Sequence, residues 1–518
     1  MVVFNDDPRL TNADLLPAKE RGWGSFSIAS TWMAFVHSLG NYTVAATLFI
    51  LGLNAWEVLL AYAIGYVLLF VFANWSGWMG QKHGVPYAVL ARVSLGVFGA
   101  NIAALVRAVV AVVWYGIQTY LASSSVIVLL ASTVPGAGGW VVDANEHTFL
   151  GLSWIGWLAF LFVWALQLLV VRHGMEVVRR FQNIVGPLVW VVMLTLMVLL
   201  LFQAGPKLDL SASGASAAGA DGTTPGLLGA GFSALILYGV FAAFNQATPL
   251  VLSSADFERF GKTRRSITWG NFWGLPVNGA AFGVISAITT AAGLAVYGKV
   301  VADPAELLSL QSSTAVVVIG AILLLIATMG VNIAGNVISA SYDLVNVFPK
   351  WLTFPRATML VSLVALFSLP WKIFATPTII VYFLGVLGAI LGPLFGLIIV
   401  DYYWVRRQQI HEDQLFTASP AGAYYYRRGV NPGAVVVLGV SGACSSAIAV
   451  VPALADVAPY SWIVGALLAA TLHYLFNRTA TRHPSQRSGR STGDEYSCPE
   501  PQYLEANDEG AGSILKRP

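Results

Sequence analysis

The segments VHSLGN (residues 36–41) and FNQATP (residues 244–249) place polar residues, with a glycine or a proline, in the middle of two long apolar runs. Gly40 is a weak helix former, and Pro249 lacks the N–H that a helix interior needs, so both runs are expected to be interrupted. Paired interruptions at equivalent positions point to a binding site at the membrane midplane. Two kinked helices whose polar groups are satisfied by neighbours would share this pattern.

The composition around these segments excludes a water-soluble domain. Of the 518 residues, 57% are hydrophobic and 10% are charged, and the mean hydropathy is +0.71. A soluble domain carries about 25% charged residues because its surface faces water, so most of this surface must face lipid. A helix needs about 20 apolar residues to cross a bilayer. Twelve runs, of which the ninth is short, are predicted to be membrane spans: 26–52, 56–76, 98–131, 149–171, 184–204, 228–253, 272–297, 313–345, 357–371, 374–400, 433–453 and 459–476.

Lysine and arginine are distributed very unevenly between the two sides of these spans. If the N-terminus is inside, only Lys207, Lys299 and Lys372 lie outside, while Arg107 lies within a span. Cytoplasmic loops accumulate lysine and arginine. We therefore expect a multi-pass protein of the plasma membrane, in a bacterium the inner membrane, with both termini in the cytoplasm.

The order of the spans predicts an all-α membrane protein built as an inverted repeat. A Gly/Ala/Ser-rich stretch, typical of a flexible linker, separates five spans from the next five. Because five is odd, the second set enters the membrane from the opposite side, as an inverted repeat requires. The predicted segments are a cytoplasmic N-terminal tail (1–25), a first repeat (26–205), an external linker (206–227), a second repeat (228–400), a cytoplasmic loop (401–432), two additional helices (433–476) and a disordered cytoplasmic C-terminal tail (477–518).

The third span of each repeat carries a pair of polar or aromatic residues spaced four apart. Trp114 and Gln118 form one pair, and Asn332 and Asn336 form the other. Residues four apart share a helix face, and amides that face lipid without partners are costly. Each pair is therefore expected to point into the bundle, either at a ligand or at a neighbouring helix. Interhelical hydrogen bonds of the latter kind contribute about 0.6 kcal/mol on average.

Four stretches carry a resemblance to a known family. They are LTNADLLPAKERGWGSFSIASTWMAFVHSLGNYT (10–43), GVPYAVLARVSLGVFGANIAALVRAVVAVVWYGIQTY (84–120), SSADFERFGKT (253–263) and GPLFGLIIVDYYWVRRQ (392–408). The chain resembles the nucleobase:cation symporter-1 family, which includes permeases for uracil, cytosine, allantoin and hydantoins. The resemblance implies the leucine-transporter fold, a ten-helix inverted repeat plus two helices, and transport by alternating access.

The resemblance also implies a substrate site. The family stacks the substrate ring on an aromatic residue that matches Trp114, and binds the ring's polar edge with amides that match Gln118 and Asn336. The family's second stacking aromatic falls at Ala247, so one wall of the expected sandwich is missing unless Phe244 replaces it. The full predicted set adds Asn332 and the two interrupted segments: Gly40, Asn41, Asn245, Gln246 and Ala247.

A second departure concerns the coupling ion. Sodium-dependent members carry hydroxyl side chains on the eighth span, where this chain has Gly330 and Val331. Sodium is a hard cation that needs several oxygen ligands, and only backbone carbonyls would remain. The candidate ion-coupling residues are Val36, His37, Leu39 and Ala327. Sodium is therefore expected to be dispensable, with a proton in its place.

His37 titrates near neutral pH, so it could carry a proton or be a neutral imidazole bound to an unwound carbonyl. Arg107 is expected to snorkel to the interface rather than to gate. Asp343 and Asp401 are expected to be solvated near cytoplasmic helix ends. A contact between Asp256 and Arg259 at a gate is the less favoured alternative to a simple basic anchor.

Other functional classes fit less well. The seven histidines show no metal-ligand spacing, so neither an enzyme nor a metal or other cofactor is expected. A channel would show a filter ring or a water-lined pore. A non-transporting sensor on the same fold would keep the same site and stays open, as does a transporter of another small heterocycle. The expected partners are a small-molecule substrate and membrane lipid, without nucleic acid or an obligate protein partner.

Overall fold

The structure is a computed structural model, and it describes residues 7–37, 39–137, 139–140, 148–212, 232–301, 304–375 and 385–477. Most of the predicted linker and almost all of the predicted C-terminal tail lie outside these ranges. The first residues of the linker form a short 3₁₀ turn at Gly205–Lys207, and the carbonyl of Leu210 accepts a hydrogen bond from the N–H of Ala55.

The described residues are predominantly helical, as predicted. A two-residue antiparallel hairpin, Thr148–Phe149 with Leu152–Ser153, is the one sheet among them. The helices are α1 (Ser25–Val36), α2 (Leu39–Ile50), α3 (Ala55–His83), α4 (Tyr87–Leu95), α5 (Ala100–Thr133), α6 (Trp154–Val171), α7 (Met175–Ala204), α8 (Phe232–Glu258), α9 (Arg264–Tyr297), α10 (Pro304–Ser309), α11 (Thr314–Val347), α12 (Phe354–Phe367), α13 (Pro370–Ala375), α14 (Gly385–Val400), α15 (Pro432–Val450) and α16 (Ser461–Asn477).

Each predicted span has a helix at its position. Among the described residues, nine helical segments are long and apolar enough to cross a membrane, and α1 and α12 are shorter apolar helices. The predicted interruption of the first span is confirmed, because α1 ends at Val36 and α2 begins at Leu39. The predicted interruption of the sixth span is wrong, because the backbone of α8 is helical through Pro249. Membrane helices tolerate proline where neighbours satisfy the freed backbone groups.

Two long helices contain a π-helical turn in the middle. In α9 the turn is Trp273–Val277 and contains Pro276; in α11 it is Ile333–Val337 and contains Asn336. Proline removes one helical hydrogen bond, which accounts for the first turn. Single π turns inside α-helices are frequently found at functional sites, and the second one lies at a predicted site residue.

The two repeats pack against each other through two pairs of long helices. The third spans, α5 and α11, pack along each other, and α3 of the first repeat packs along α8 of the second. Glycines on one face of α3 permit the second contact: a Cβ at Gly65 would lie 2.8 Å from the carbonyl oxygen of Val240, and one at Gly80 would lie 2.8 Å from Cα of Ala255. Small residues bring membrane helices close in this way.

Successive loops lie on alternate faces of the bundle. On the N-terminal face, the backbones of Trp23 and Gly261 form an isolated parallel β-bridge, and Lys82 Nζ donates to the carbonyl of Gln408 at 2.7 Å. On the opposite face, here called the distal face, Gln203 Nε2 donates to Gln311 Oε1 at 2.8 Å. The short helices α4 and α10 follow the second span of each repeat and lie on these opposite faces. This inversion is what the two five-span sets predict.

Candidate functional site

The two predicted polar pairs meet where α5 crosses α11. Asn332 Nδ2 lies 3.0 Å from the carbonyl oxygen of Tyr115, 3.0 Å from Thr119 Oγ1 and 2.8 Å from Gln167 Oε1. Its Oδ1 accepts a hydrogen bond from Asn336 Nδ2 at 2.8 Å. The side chain of Asn332 is therefore engaged on both ends by the protein itself. It fixes the position of Asn336 at the π turn.

The remaining members of the two pairs keep hydrogen-bonding capacity. Trp114 and Gln118 are half-buried on α5, each one residue before a residue that contacts Asn332, so they lie at the same depth. Gln118 Oε1 is enclosed but accepts no hydrogen bond from the described residues. A buried amide oxygen without a partner costs about 1–3 kcal/mol. Gln118 is therefore a group that a ligand could satisfy.

The break between α1 and α2 lies next to this crossing. A Cβ at Gly335 would lie 2.8 Å from Phe35 Cε1 and 3.0 Å from Leu250 Cδ2. The end of α1, the middle of α8 and the π turn of α11 thus come together at one depth. The absence of a side chain at Gly335 is what lets them meet.

Asn41 stabilises the break. Its Nδ2 donates to the carbonyl of Val36 at 2.8 Å and to Tyr66 Oη at 2.9 Å, and its own carbonyl accepts from Tyr62 Oη at 2.6 Å. The Val36 carbonyl, predicted as an ion ligand, therefore already has a donor. The side chains of Leu39, Asn245, Gln246 and Ala247 lie outside the described part of the structure, and Gly40 has none, so the roles of these five residues stay predictions.

Phe244 does not supply the missing aromatic wall in this structure. Its ring is fully buried among other rings, with centroid distances of 5.7 Å to Phe72 and 5.3 Å to Trp462. These rings belong to α3 and α16. The position matching the family's second stacking aromatic therefore stays without an aromatic side chain.

His37, directly after α1, is enclosed by aromatic rings. Its ring centroid lies 5.4 Å from that of Trp190 and 5.2 Å from that of Phe282, and Tyr42 Oη is 3.5 Å from Nδ1. Its Nε2 has no hydrogen-bond partner among the described residues. No carboxylate appears among these contacts, so a charged imidazole would be uncompensated.

The region where sodium ligands would be expected is filled by protein groups. Gln182 Nε2, from α7, donates to the carbonyl of Gly330 at 2.7 Å. A Cβ at Gly330 would lie 2.5 Å from Val185 Cγ1, so a serine or threonine there would require the neighbour to move. Ala327 is buried on the same helix, α11.

The expectations for the buried charges are wrong. Arg107 does not snorkel: it is 2% exposed, and its Nε and Nη2 donate to the two oxygens of Asp343 at 2.7 and 2.8 Å. Its Nη1 forms an ion pair with Asp256 at 2.9 Å, and its guanidinium lies 4.2 Å from the centre of the Tyr87 ring. Asp343 is fully buried because it belongs to this cluster, and Asp256 pairs with Arg107 rather than with Arg259.

Asp401 is also buried rather than solvated. It accepts from Arg406 Nε at 2.8 Å and lies 3.1 Å from His473 Nε2. Arg406 compensates its charge and the imidazole of His473 lies within hydrogen-bond distance, which is why it can be buried.

The cluster of Arg107, Asp343, Asp256 and Tyr87 closes the bundle between the site and the N-terminal face. It ties together α4, α5, α8 and α11. Arg107 precedes Trp114, and Asp343 follows Asn336, by two helical turns in each case. This shared spacing is the signal in the sequence that could have paired them.

Comparison with known proteins identifies the family. A family model described as permease for cytosine/purines, uracil, thiamine, allantoin matches residues 15–465. The chain belongs to the nucleobase:cation symporter-1 family. Among curated members, the allantoin permease of Bacillus subtilis is 34% identical over 92% of this chain and 94% of its own length. The purine-uracil permease of Arabidopsis thaliana is 30% identical over 83% of this chain and 70% of its own length.

Solved structures agree on the fold. The family transporter Mhp1, in a closed conformation with bromovinylhydantoin bound, superposes with a TM-score of 0.71 at 23% identity, covering 92% of this chain and 96% of Mhp1. The inward-facing conformation of Mhp1 superposes with a TM-score of 0.68 at 23% identity, covering 91% of this chain and 95% of Mhp1. The chain is therefore a membrane transporter with the inverted-repeat architecture of this family.

Proposed function

We propose that this chain is a secondary active symporter that imports a nucleobase or a related cyclic amide by alternating access. The observation that carries the proposal is the convergence at the α5–α11 crossing. There the broken first span, the half-buried Trp114 and the positioned Asn336 lie at one depth with Gln118, whose Oε1 has no hydrogen-bond partner among the described residues. A small flat ligand with a polar edge fits such a group of side chains.

The chemistry of these side chains suits the ligand class. Nucleobases and hydantoins have a flat face for stacking and an edge that alternates C=O and N–H groups. Trp114 offers a large aromatic face, and aromatic stacking contributes about 0.5–1.5 kcal/mol beyond the burial of area. Gln118 and Asn336 each offer a donor and an acceptor without net charge. Asn332 acts as a positioning residue for Asn336 rather than as a ligand itself.

The substrate is best sought among allantoin and hydantoins first. The curated relative with 34% identity over nearly its whole length is an allantoin permease. Ala247, where the family has a second aromatic, leaves one side of the predicted ring site less filled. A ring that carries a substituent out of its plane, as allantoin does, would use that space better than a flat base. Uracil and cytosine remain in the substrate class.

Coupling to a proton rather than to sodium is part of the proposal. The carbonyls of Val36 and Gly330 already accept hydrogen bonds from Asn41 and Gln182. Position 330 has no room for a hydroxyl side chain while Val185 keeps its place. Sodium would have to displace these groups and would gain few oxygen ligands. The N-terminal face is proposed to be cytoplasmic and the membrane to be the plasma membrane, because the basic residues lie on that face.

A thermal-shift screen of the purified protein tests the substrate assignment. The ligands are uracil, cytosine, thymine, adenine, guanine, allantoin and hydantoins, each with and without sodium. A ligand at about 100 times its dissociation constant adds roughly 2.7 kcal/mol of apparent stability. We expect one ring class to raise the melting temperature to the same extent in both buffers. Flux of that ligand into proteoliposomes then separates a transporter from a sensor.

Trp114→Ala is the matched site variant. It is expected to melt as the wild type does but to lose the ligand-induced shift, because it removes the stacking surface. Trp351→Ala is the control, since Trp351 is 72% exposed on the N-terminal face. The proposal would be contradicted if Trp114→Ala bound the ligand with wild-type affinity. It would also be contradicted if no ring compound changed the melting temperature of the wild type.

A further inference from the structure

A buried carboxyl group lies within the bundle, apart from the substrate site and from the Arg107 cluster. Glu258 is the last residue of α8 and is fully buried between α1, α3 and α9. Asn271 Nδ2 approaches its Oε2 at 3.4 Å, and the indole of Trp32 is its other polar neighbour. Its Oε1 has no hydrogen-bond partner among the described residues. The carboxyl group is therefore enclosed but weakly hydrogen-bonded.

The surroundings are shaped around this carboxyl group. A Cβ on Gly77 of α3 would collide with Oε2 of Glu258, so only a glycine leaves the space that the group occupies. Asn271 is held from two sides, because its Oδ1 accepts from Trp32 Nε1 at 2.7 Å and its Nδ2 lies 3.3 Å from Asn74 Oδ1. The neighbours are thus polar but uncharged.

No cation lies within ion-pair distance of Glu258 in the described part of the chain. Lys262 and Arg265 are exposed. The other titratable and charged groups on the packed elements contact different partners. Arg21 and Lys82 donate to the backbone carbonyls of Gln81 and Gln408, and His83 contacts Glu412 and Tyr402. Arg259 lies over the rings of Phe260 and Tyr342, Arg264 lies over the ring of Trp78, and Asp256 pairs with Arg107.

This sets Glu258 apart from the other buried carboxyl groups. Asp256 and Asp343 pair with Arg107, and Asp401 pairs with Arg406 and His473. An ionised carboxylate in a protein interior without a cation costs several kcal/mol. A neutral carboxylic acid avoids this cost and needs no cation. The two polar contacts of Glu258 are N–H donors, so it is the burial without a cation that favours the acid form.

We propose that Glu258 binds the coupling proton and carries it through the transport cycle. The inference rests on the proposed function, proton-coupled symport, and names the group that takes up the proton. In the conformation described, with the N-terminal face closed, Glu258 is protonated. Opening of that face admits water to the carboxyl group at the end of α8, and the proton leaves to the cytoplasm.

Two polar side chains of α9 lie along the chain between the level of Glu258 and that of the broken span. Asn271 and Asn278 lie on α9 on either side of the π turn. Asn278 Oδ1 accepts from Trp190 Nε1 at 2.7 Å, and its side chain is a polar neighbour of the His37 ring. His37 directly follows α1, where the break begins.

The test compares the wild type with Glu258→Gln in proteoliposomes. Glutamine is the neutral isostere of a protonated glutamic acid, so the variant is expected to fold, bind substrate and perform substrate counterflow as the wild type does. It is expected to lose the accumulation of substrate that an inward proton gradient drives. It is also expected to lose the alkalinisation of the external medium that accompanies substrate entry. Glu176→Gln, an exposed glutamate at the start of α7, is the control and keeps every activity.

Each result decides the inference. Gradient-driven accumulation in Glu258→Gln at the wild-type level would overturn it while leaving proton symport intact. A wild type that ignores the proton gradient would refute the proposed coupling itself, and the inference with it. Because the isostere should fit a site built for the neutral acid, failure of Glu258→Gln to fold would also count against the inference. Asp401→Asn provides the contrast, since it leaves Arg406 without its carboxylate partner and is expected to be destabilised.

Discussion

Replacing Arg107 by methionine should destabilise the protein strongly. Arg107 compensates two fully buried carboxylates, Asp343 at 2.7 Å and Asp256 at 2.9 Å. Removing one partner of a buried ion pair costs about 3–5 kcal/mol because the remaining charge is left in a medium of low polarity. Two carboxylates are left here, so the upper part of that range is expected. A cost of this size is a large part of the stability of a typical folded domain.

The same geometry predicts a recovery that a simple loss of packing would not produce. In Arg107→Met/Asp256→Asn/Asp343→Asn no charge is left uncompensated, and replacing a complete buried charge cluster by neutral groups is often close to neutral. The triple variant is therefore expected to be more stable than the single variant Arg107→Met. Additivity of the three substitutions would mean that the ion pairs are not coupled.

Thermal unfolding in detergent, followed by tryptophan fluorescence, measures these differences. The control is Arg180→Met, because the Arg180 side chain is 73% exposed and its pair with Glu176 belongs to the class of surface ion pairs that contribute about 0–1 kcal/mol. A melting temperature of Arg107→Met equal to that of Arg180→Met would refute the reasoning. It would mean that the cluster is hydrated or open in the protein as purified.

Two further substitutions test the site. Asn332→Leu should weaken substrate binding although Asn332 is not proposed to touch substrate, because Asn336 loses the acceptor that positions it; titration with the ligand from the screen measures this, and unchanged affinity would contradict the positioning role. Gly330→Ser should destabilise the protein by about 1–3 kcal/mol through overpacking against Val185, and adding Val185→Ala should restore much of that loss in thermal unfolding. If the double variant then responds to sodium, the hydroxyl is what sodium coupling lacks; the wild type should not respond.

The Arg107 cluster also bears on how the transporter cycles. It joins α4, α5, α8 and α11 on the N-terminal side of the site, and all of its charged members are buried. Opening that face requires these ion pairs to separate or to move as one body. A buried ion cluster is costly to break in a dry interior and much cheaper once water enters. The cluster therefore favours a closed N-terminal face.

Hydropathy and local chain chemistry were enough to determine the membrane class, the twelve helical positions, the break after Val36 and the two polar pairs. These features follow from the order of residues along one segment: apolar length sets a span, glycine weakens a helix, and a spacing of four defines a face. Pro249 is the exception, because a membrane helix can keep its course through a proline when its neighbours supply the missing contacts.

Only the tertiary structure decided which polar groups are hydrogen-bonded by the protein itself and which remain available to a ligand. Asn332 and Asn336 look alike in the sequence, yet one is engaged by α5 and α6 and the other is held at a π turn. Arg107 and Glu258 likewise differ through what distant segments bring to them: two carboxylates in one case, uncharged amide and indole groups in the other. In a medium of low polarity the partner determines whether a buried group is charged, neutral or free, and a partner is a property of the fold.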